Sequence, residues 1–187
     1  MTGMLLAMAV AFGLRSDPRV ACMLEWLLAQ QMSDGGWNCR FPNGATHGSF
    51  HTTTSVLEAL HAADASARKI QRAAAAGREF MLIHRLFRSH RTGRVARGAF
   101  TQLCFPYWWK FDVLRGLDYF RAANTWDDRL ADGLALVANR RGSDGRWRQH
   151  RPHPGRTWFA LEPSAKPSRW NTLRALRVRE WAHTRRG

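Results

Sequence analysis

The sequence predicts an all-α protein assembled from repeated helical hairpins, and three observations carry that reading. An Asp-Gly-x-Trp turn occurs twice, as Asp34-Gly35-Gly36-Trp37 and as Asp144-Gly145-Arg146-Trp147. A short segment recurs three times, as Val56-Leu57-Glu58-Ala59-Leu60, Val113-Leu114-Arg115-Gly116-Leu117 and Thr172-Leu173-Arg174-Ala175-Leu176, at offsets of 57 and 59 residues. Its i, i+1 and i+4 positions fall on one helix face. A helical stretch also precedes each turn: Trp26 to Gln31 before Asp34, and Leu136 to Arg141 before Asp144. The middle copy is weaker, with Phe80-Met81-Leu82-Ile83 running into His90-Arg91-Thr92-Gly93 and no tryptophan following.

Taken in order, the spacing predicts helices near 3–13, 17–32, 51–63, 65–88, 107–122, 127–141 and 168–183. The first holds the apolar run Met4 to Phe12, too short to span a bilayer and lacking the basic flank and cleavage site of a signal peptide. The second starts well, with Asp17 as N-cap and Pro18 at the first helical position. The third and fifth carry the first two copies of the apolar segment, and the seventh carries the last. The sixth opens on Asp127-Asp128, acids that suit a helix N-terminus. In the turns, glycine takes the left-handed conformation that ends a helix, Asp bonds nearby amides, and Trp folds back over the hairpin end. Those structural duties account for Asp34, Gly36, Asp144 and Gly145. The connections 38–50, 89–106 and 142–167 are longer than hairpins need, which points to function or docking.

Composition allows a real core, with 45% hydrophobic residues, and nine tryptophans call for deep pockets or broad interfaces. The net charge of +15 is almost all arginine, with Lys69, Lys110 and Lys166 the only lysines. Such charge suits phosphates of nucleic acids, diphosphates or anionic lipids. A general compositional bias spread over solvated faces explains it equally well, since no long basic block appears. Cys22, Cys39 and Cys104 make no disulfide framework, which fits a reducing cytoplasm. The expected location is cytoplasmic, with room for peripheral membrane contact.

A helix ending in Gln30-Gln31 and followed by Asp34-Gly35-Gly36-Trp37 resembles the glutamine/tryptophan repeat of the squalene and terpenoid cyclases. Asp144 to Trp147 resembles it too, with Arg140-Arg141 where Gln would stand. The resemblance implies the α/α toroid that this family shares with the protein prenyltransferase β-subunits. On that basis residues 1–187 form one domain of about three repeats, half a toroid, with repeats at 17–63, 65–122 and 127–183. Residues 1–16 would close a preceding repeat, so the expectation is a partial member with a missing N-terminal half and a tendency to self-associate.

The resemblance also implies where chemistry would lie. The acidic motif with which bacterial cyclases protonate alkenes has no counterpart here. The His51-Thr52 pair resembles the zinc histidine of prenyltransferases, without the companion Asp-x-Cys, so Cys39, His47 and His51 are the candidate zinc ligands. Cys39 is otherwise a small buried residue, and the histidines bond loop carbonyls. Ser55, Asp112 and Asn171 form an aligned polar column that would line a cavity. Asp112 is the candidate general acid, beside Trp108, Trp109 and Phe111, whose faces would bind substrate and stabilise cations; the rival is a first-turn aspartate paired with Lys110 or Arg115. His84, His90 and Arg91 would clamp a diphosphate, or form a solvated face. Arg169, Trp170, Asn171, Arg174, Arg177 and Arg179 make a second basic helix, as outer surface or docking face.

The expected function is binding of an isoprenoid diphosphate or other apolar small molecule in an aromatic-lined cavity, by a prenyltransferase- or cyclase-like protein. A non-catalytic scaffold on the same fold is the alternative. Nucleic-acid binding rests on charge alone, without a recognised motif.

Overall fold

Among the described residues seven helices form. The computed structural model describes residues 1–63, 67–150 and 158–186, and among these the chain is mostly helical: α1 (Thr2–Ala11), α2 (Pro18–Ala29), α3 (Phe50–Ala62), α4 (Arg68–Ile83), α5 (Val113–Ala122), α6 (Ala131–Asn139) and α7 (Arg169–Arg186). The one ladder there is a two-residue antiparallel pair, β1 (Trp147–Arg148) with β2 (Pro167–Ser168), in the register Trp147 to Ser168.

Local chemistry sets the helix ends. The Asp17 side chain accepts from the Arg19 amide at 2.8 Å, with Pro18 at the first position of α2. Side-chain hydrogen bonding from Arg19 holds the Asp17 carboxyl down to about 2. Several expected helices are shorter than their apolar spacing suggests: the one expected over 17–32 ends at Ala29, and the one expected over 127–141 runs from Ala131 to Asn139, after a 3-10 turn over Asp128–Leu130 that Asp127 caps. The helix expected over 65–88 stops at Ile83, because Arg85 and Leu86 turn left-handed, with φ of 45° and 68°. The helix expected from 107 starts only at Val113: Trp108 has φ of 50°, and Asp112, an extended residue, caps the first turn.

The chain divides into two compact units, Met1–Ile83 and His84–Gly187. The division falls inside the second of the three sequence repeats. Within the first unit α1 packs on α2 and α3, and α3 packs on α4. Within the second, α5 packs on α6 and α7. The order α1–α2–turn–α3 thus has the same internal contacts as α5–α6–turn–α7.

Four side-chain bonds recur in the two Gly/Trp turns. Trp37 is 1% exposed and its indole N–H donates to the Leu27 carbonyl at 2.7 Å; Trp147 is fully buried and donates to Val137 at 2.7 Å. The Trp37 amide donates to Thr53 Oγ1 at 2.9 Å, and the Trp147 amide to Thr172 Oγ1 at 3.1 Å. Asp34 Oδ1 accepts from Gly36 N and Asp144 Oδ1 from Arg146 N, both at 3.0 Å. Gln31 Nε2 donates to the Gly35 carbonyl at 2.8 Å, and Arg141 Nε to the Gly145 carbonyl at 3.0 Å. Arginine therefore fills the glutamine position because the turn requires a long side chain with an N–H donor there.

These bonds correct the polar column. Thr53 matches Thr172, so the third apolar segment is displaced three residues, almost a helical turn, from its sequence alignment. By cap position the equivalent residues are Ser49, Asp112 and Ser168, which stand immediately before α3, α5 and α7. Ser55 and Asn171 lie inside their helices.

Charge divides as the units do. Residues 84–187 carry 22 Lys/Arg and 8 Asp/Glu, a net +14, and residues 1–83 carry 7 and 6, a net +1. A compositional bias acting on the whole chain predicts no such asymmetry.

Candidate functional site

The buried polar groups of the second unit gather where the segment 103–112, β1 and the start of α7 meet. Asp112 is 1% exposed; its Oδ1 accepts from Arg115 N at 2.8 Å and its Oδ2 from Cys104 N at 3.3 Å. Both oxygens of the candidate acid thus serve backbone amides, the arrangement of an N-cap. Phe111 is 1% exposed and packs edge-on against Phe100 at 5.2 Å, as core. Trp108 and Trp109 lie on the surface at 52% and 47% exposure, with Lys110 Nζ 3.8 Å from the centre of the Trp109 ring. The expected aromatic pocket around Asp112 therefore splits into one buried ring and two exposed ones.

Asn171 is buried and bridges three segments. Its Nδ2 donates to the Leu103 carbonyl at 3.1 Å, to Gln149 Oε1 at 3.1 Å and to the Arg148 carbonyl at 3.3 Å. Its Oδ1 is buried without a partner. Gln149 holds the Phe105 backbone, accepting from its amide at 3.1 Å and donating to its carbonyl. His150 sits between Leu103 and Arg140, with Nε2 3.0 Å from Arg140 Nη1 and Nδ1 3.1 Å from the Leu103 carbonyl. The Leu103 amide also donates to Nδ1, at 3.1 Å, so the ring nitrogens face two N–H donors and one carbonyl. Burial, and then the charge of Arg140, push His150 below its usual value.

Two buried arginines share one ring. Arg115, 2% exposed, donates from Nη1 to the Lys110 carbonyl at 2.8 Å and stands 4.6 Å from the Tyr107 ring centre. Arg174, 6% exposed, stands 4.7 Å from the same centre. All three of its guanidinium nitrogens are buried without a hydrogen-bond partner. Its nearest carboxylate is Asp118 Oδ2, 3.7 Å from Nε, an ion-pair distance too long for a hydrogen bond. Asp118 already receives Arg121 Nε at 2.7 Å on Oδ1. Arg121 also lines an open groove of about 540 Å³ with Leu176, Arg177, Glu180, Trp181 and Thr184.

The remaining expected residues lie elsewhere. His84 and His90 do meet, with Nε2 and Nδ1 2.9 Å apart, while Arg91 is exposed and has no bond to either ring among those described. The adjacent acid is Asp132, which receives Arg88 Nε at 2.7 Å and lies 3.5 Å from Arg85 Nη1. In the first unit Cys39 is exposed and its amide donates to Thr52 Oγ1, while the His47 carbonyl accepts from Asn38 Nδ2 at 2.8 Å and the His51 carbonyl from Ser55 Oγ at 3.0 Å. The described residues contain no group of three or more His, Cys, Asp or Glu placed to hold a metal ion. Cys39, His47 and His51 therefore do not present a zinc set.

His150, Gln149 and Tyr107 carry no signal in the sequence, Arg174 reads only as part of a basic helix, and Arg140 only as a substitute in the glutamine position of the turn. The bonds of His150 to Leu103, of Gln149 to Phe105 and of Arg140 to Thr101 span 39 to 47 residues, so local spacing gives no sign of them. No family model, curated protein or solved structure matches the chain.

Proposed function

We propose that the second unit binds an anionic ligand with an apolar tail, in the class of isoprenoid diphosphates, with Arg174 anchoring the anion. One observation carries this reading: a buried guanidinium with no hydrogen-bond acceptor for any nitrogen. Leaving such donors unmade is costly, and a phosphate oxygen is the acceptor that best repairs it. The surroundings support an anion, since Arg115 and Arg121 stand close by while Asp118 is shared between two arginines. The groove beyond Arg121 supports a tail, because it combines Leu176 and Trp181 with Arg177. Its volume lies in the range of small-molecule sites.

The proposal stops at binding, as Asp112 already spends both oxygens on amides. The isoprenoid class comes from the resemblance of the Gly/Trp turns, and the anion from the geometry. Isothermal titration with farnesyl diphosphate, inorganic diphosphate and farnesol tests both parts. The expected order of affinity is farnesyl diphosphate, then diphosphate, then farnesol, with Arg174→Met weakening both diphosphates about 10- to 100-fold. Equal binding by wild type and variant would refute the anchor. Diphosphate binding as tight as farnesyl diphosphate would refute the tail.

A further inference from the structure

A different set of residues points outward. We infer that the loop before α7, together with the first turn of that helix, is a docking face for an anionic lipid bilayer. Trp158, Phe159 and Leu161 are exposed to 89%, 72% and 46%, and Trp170 on α7 to 43%. The loop is fixed to the helix by Glu162, which accepts from Arg169 N at 2.7 Å and from the Ser168 hydroxyl. Phe105 stacks on Trp170 at 4.9 Å, joining the segment that carries the exposed Trp108 and Trp109. Six large apolar side chains thus stand in water, four on the loop and first turn of α7 and two on the segment stacked against that turn through Phe105. Apolar surface of this kind marks a site of association.

Charge selects the occupant. The unit holds +14; Lys110 Nζ lies 3.8 Å from the centre of the Trp109 ring, and Lys166 and Arg169 fall between Leu161 and Trp170 in the sequence. Tryptophan beside lysine and arginine suits the headgroup region of an anionic bilayer, where rings sit at the boundary and cations meet phosphates. Single-stranded nucleic acid, which also stacks on aromatic rings, fits less well. The tip Trp158-Phe159-Ala160-Leu161 contains no cation and places an aliphatic side chain where a base would gain nothing. Among the described residues no helix is long and apolar enough to cross a membrane, so the contact is peripheral. This inference does not depend on Arg174.

Vesicle flotation of the full chain tests it. Vesicles of phosphatidylcholine with phosphatidylglycerol should carry the protein upward, and phosphatidylcholine alone should not. The double variant Trp158→Ser/Phe159→Ser should lower partition about tenfold or more, while its urea midpoint stays at the wild-type value because both side chains are exposed. Partition unchanged in the double variant would overturn the inference, leaving charge alone. So would a single-stranded oligonucleotide that displaces the vesicles and itself depends on Trp158 and Phe159. Brominated lipid should quench tryptophan emission of the wild-type protein; vesicle binding without quenching would also overturn it.

Discussion

Replacing Arg174 with methionine should stabilise the ligand-free protein. The wild-type guanidinium contributes a contact with Tyr107 at 4.7 Å and an ion pair with Asp118 at 3.7 Å. The first is worth about 0.5–2 kcal/mol. The second is worth about 0–1 kcal/mol, since Asp118 is partly exposed and already bonded to Arg121. Against these stand three buried nitrogens without acceptors, and each unsatisfied buried group costs about 1–3 kcal/mol. Methionine keeps much of the apolar stem and removes the charge, a kind of exchange that gains about 1–4 kcal/mol elsewhere. The net expectation is a gain of about 2 kcal/mol, or about 4–8 °C in Tm for a chain of this size. Calorimetry and urea unfolding read it directly. Farnesyl diphosphate at a hundredfold excess over Kd should then lift wild type by about 2.7 kcal/mol and leave the variant behind. A variant less stable than wild type by more than about 1 kcal/mol would refute the reasoning, because the guanidinium would then be a satisfied structural group.

The two turn glycines should respond differently to alanine. At Gly35, φ is +83° and a Cβ would meet the Ala76 carbonyl oxygen at 2.5 Å, so Gly35→Ala should cost about 3 kcal/mol or more by urea titration. At Gly145, φ is +77° but the nearest atom is the mobile Arg141 Nη2 at 3.0 Å, so Gly145→Ala should cost only about 1 kcal/mol. Removing the Gln31 donor by Gln31→Ala breaks bonds to Gly35 and Ala73 and should cost about 1–2 kcal/mol, whereas Arg141→Gln should stay within about 0.5 kcal/mol of wild type; a large loss in the second would argue against the shared turn design. His150 makes stability fall with acid. Its folded-state value is depressed, so below its ordinary 6.5 the unfolded chain binds the extra proton, and stability is lost as pH falls from there toward the folded value. Urea midpoints at about pH 7.5 and about pH 5.5 should differ less in His150→Gln than in wild type, and identical slopes would count against a half-buried neutral imidazole.

Much of the helical frame was legible because its signals are local. Asp17-Pro18, the Gly turns and the 3.6-residue spacing located the seven helices of the described residues, and the ends that moved furthest, at Ile83 and Val113, did so for backbone reasons at Arg85, Leu86 and Trp108. The register of the third repeat was not legible. Apolar residues every three to four positions look alike after a slip of one turn, and only the Thr53 and Thr172 hydroxyls distinguish the alternatives. The polar cluster was hidden for another reason. Gln149 and His150 reach Leu103 and Phe105 across more than forty residues, and Arg174 reads in sequence like any arginine on a basic helix. The uneven charge was visible all along, but only once a boundary at residue 83 told which residues to count together.

The tryptophans that close the two turns have an optical consequence. The first unit contains Trp26 and Trp37, and the second contains the other seven. Trp37 and Trp147 are sealed from solvent, whereas Trp158 is almost wholly open to it. Iodide should therefore extinguish the red edge of the emission band first and leave a blue component from Trp37 and Trp147. Replacing one of these two with phenylalanine would make the remaining blue emitter a private reporter of its own unit. Melting of each half of the chain could then be followed separately in a single cuvette.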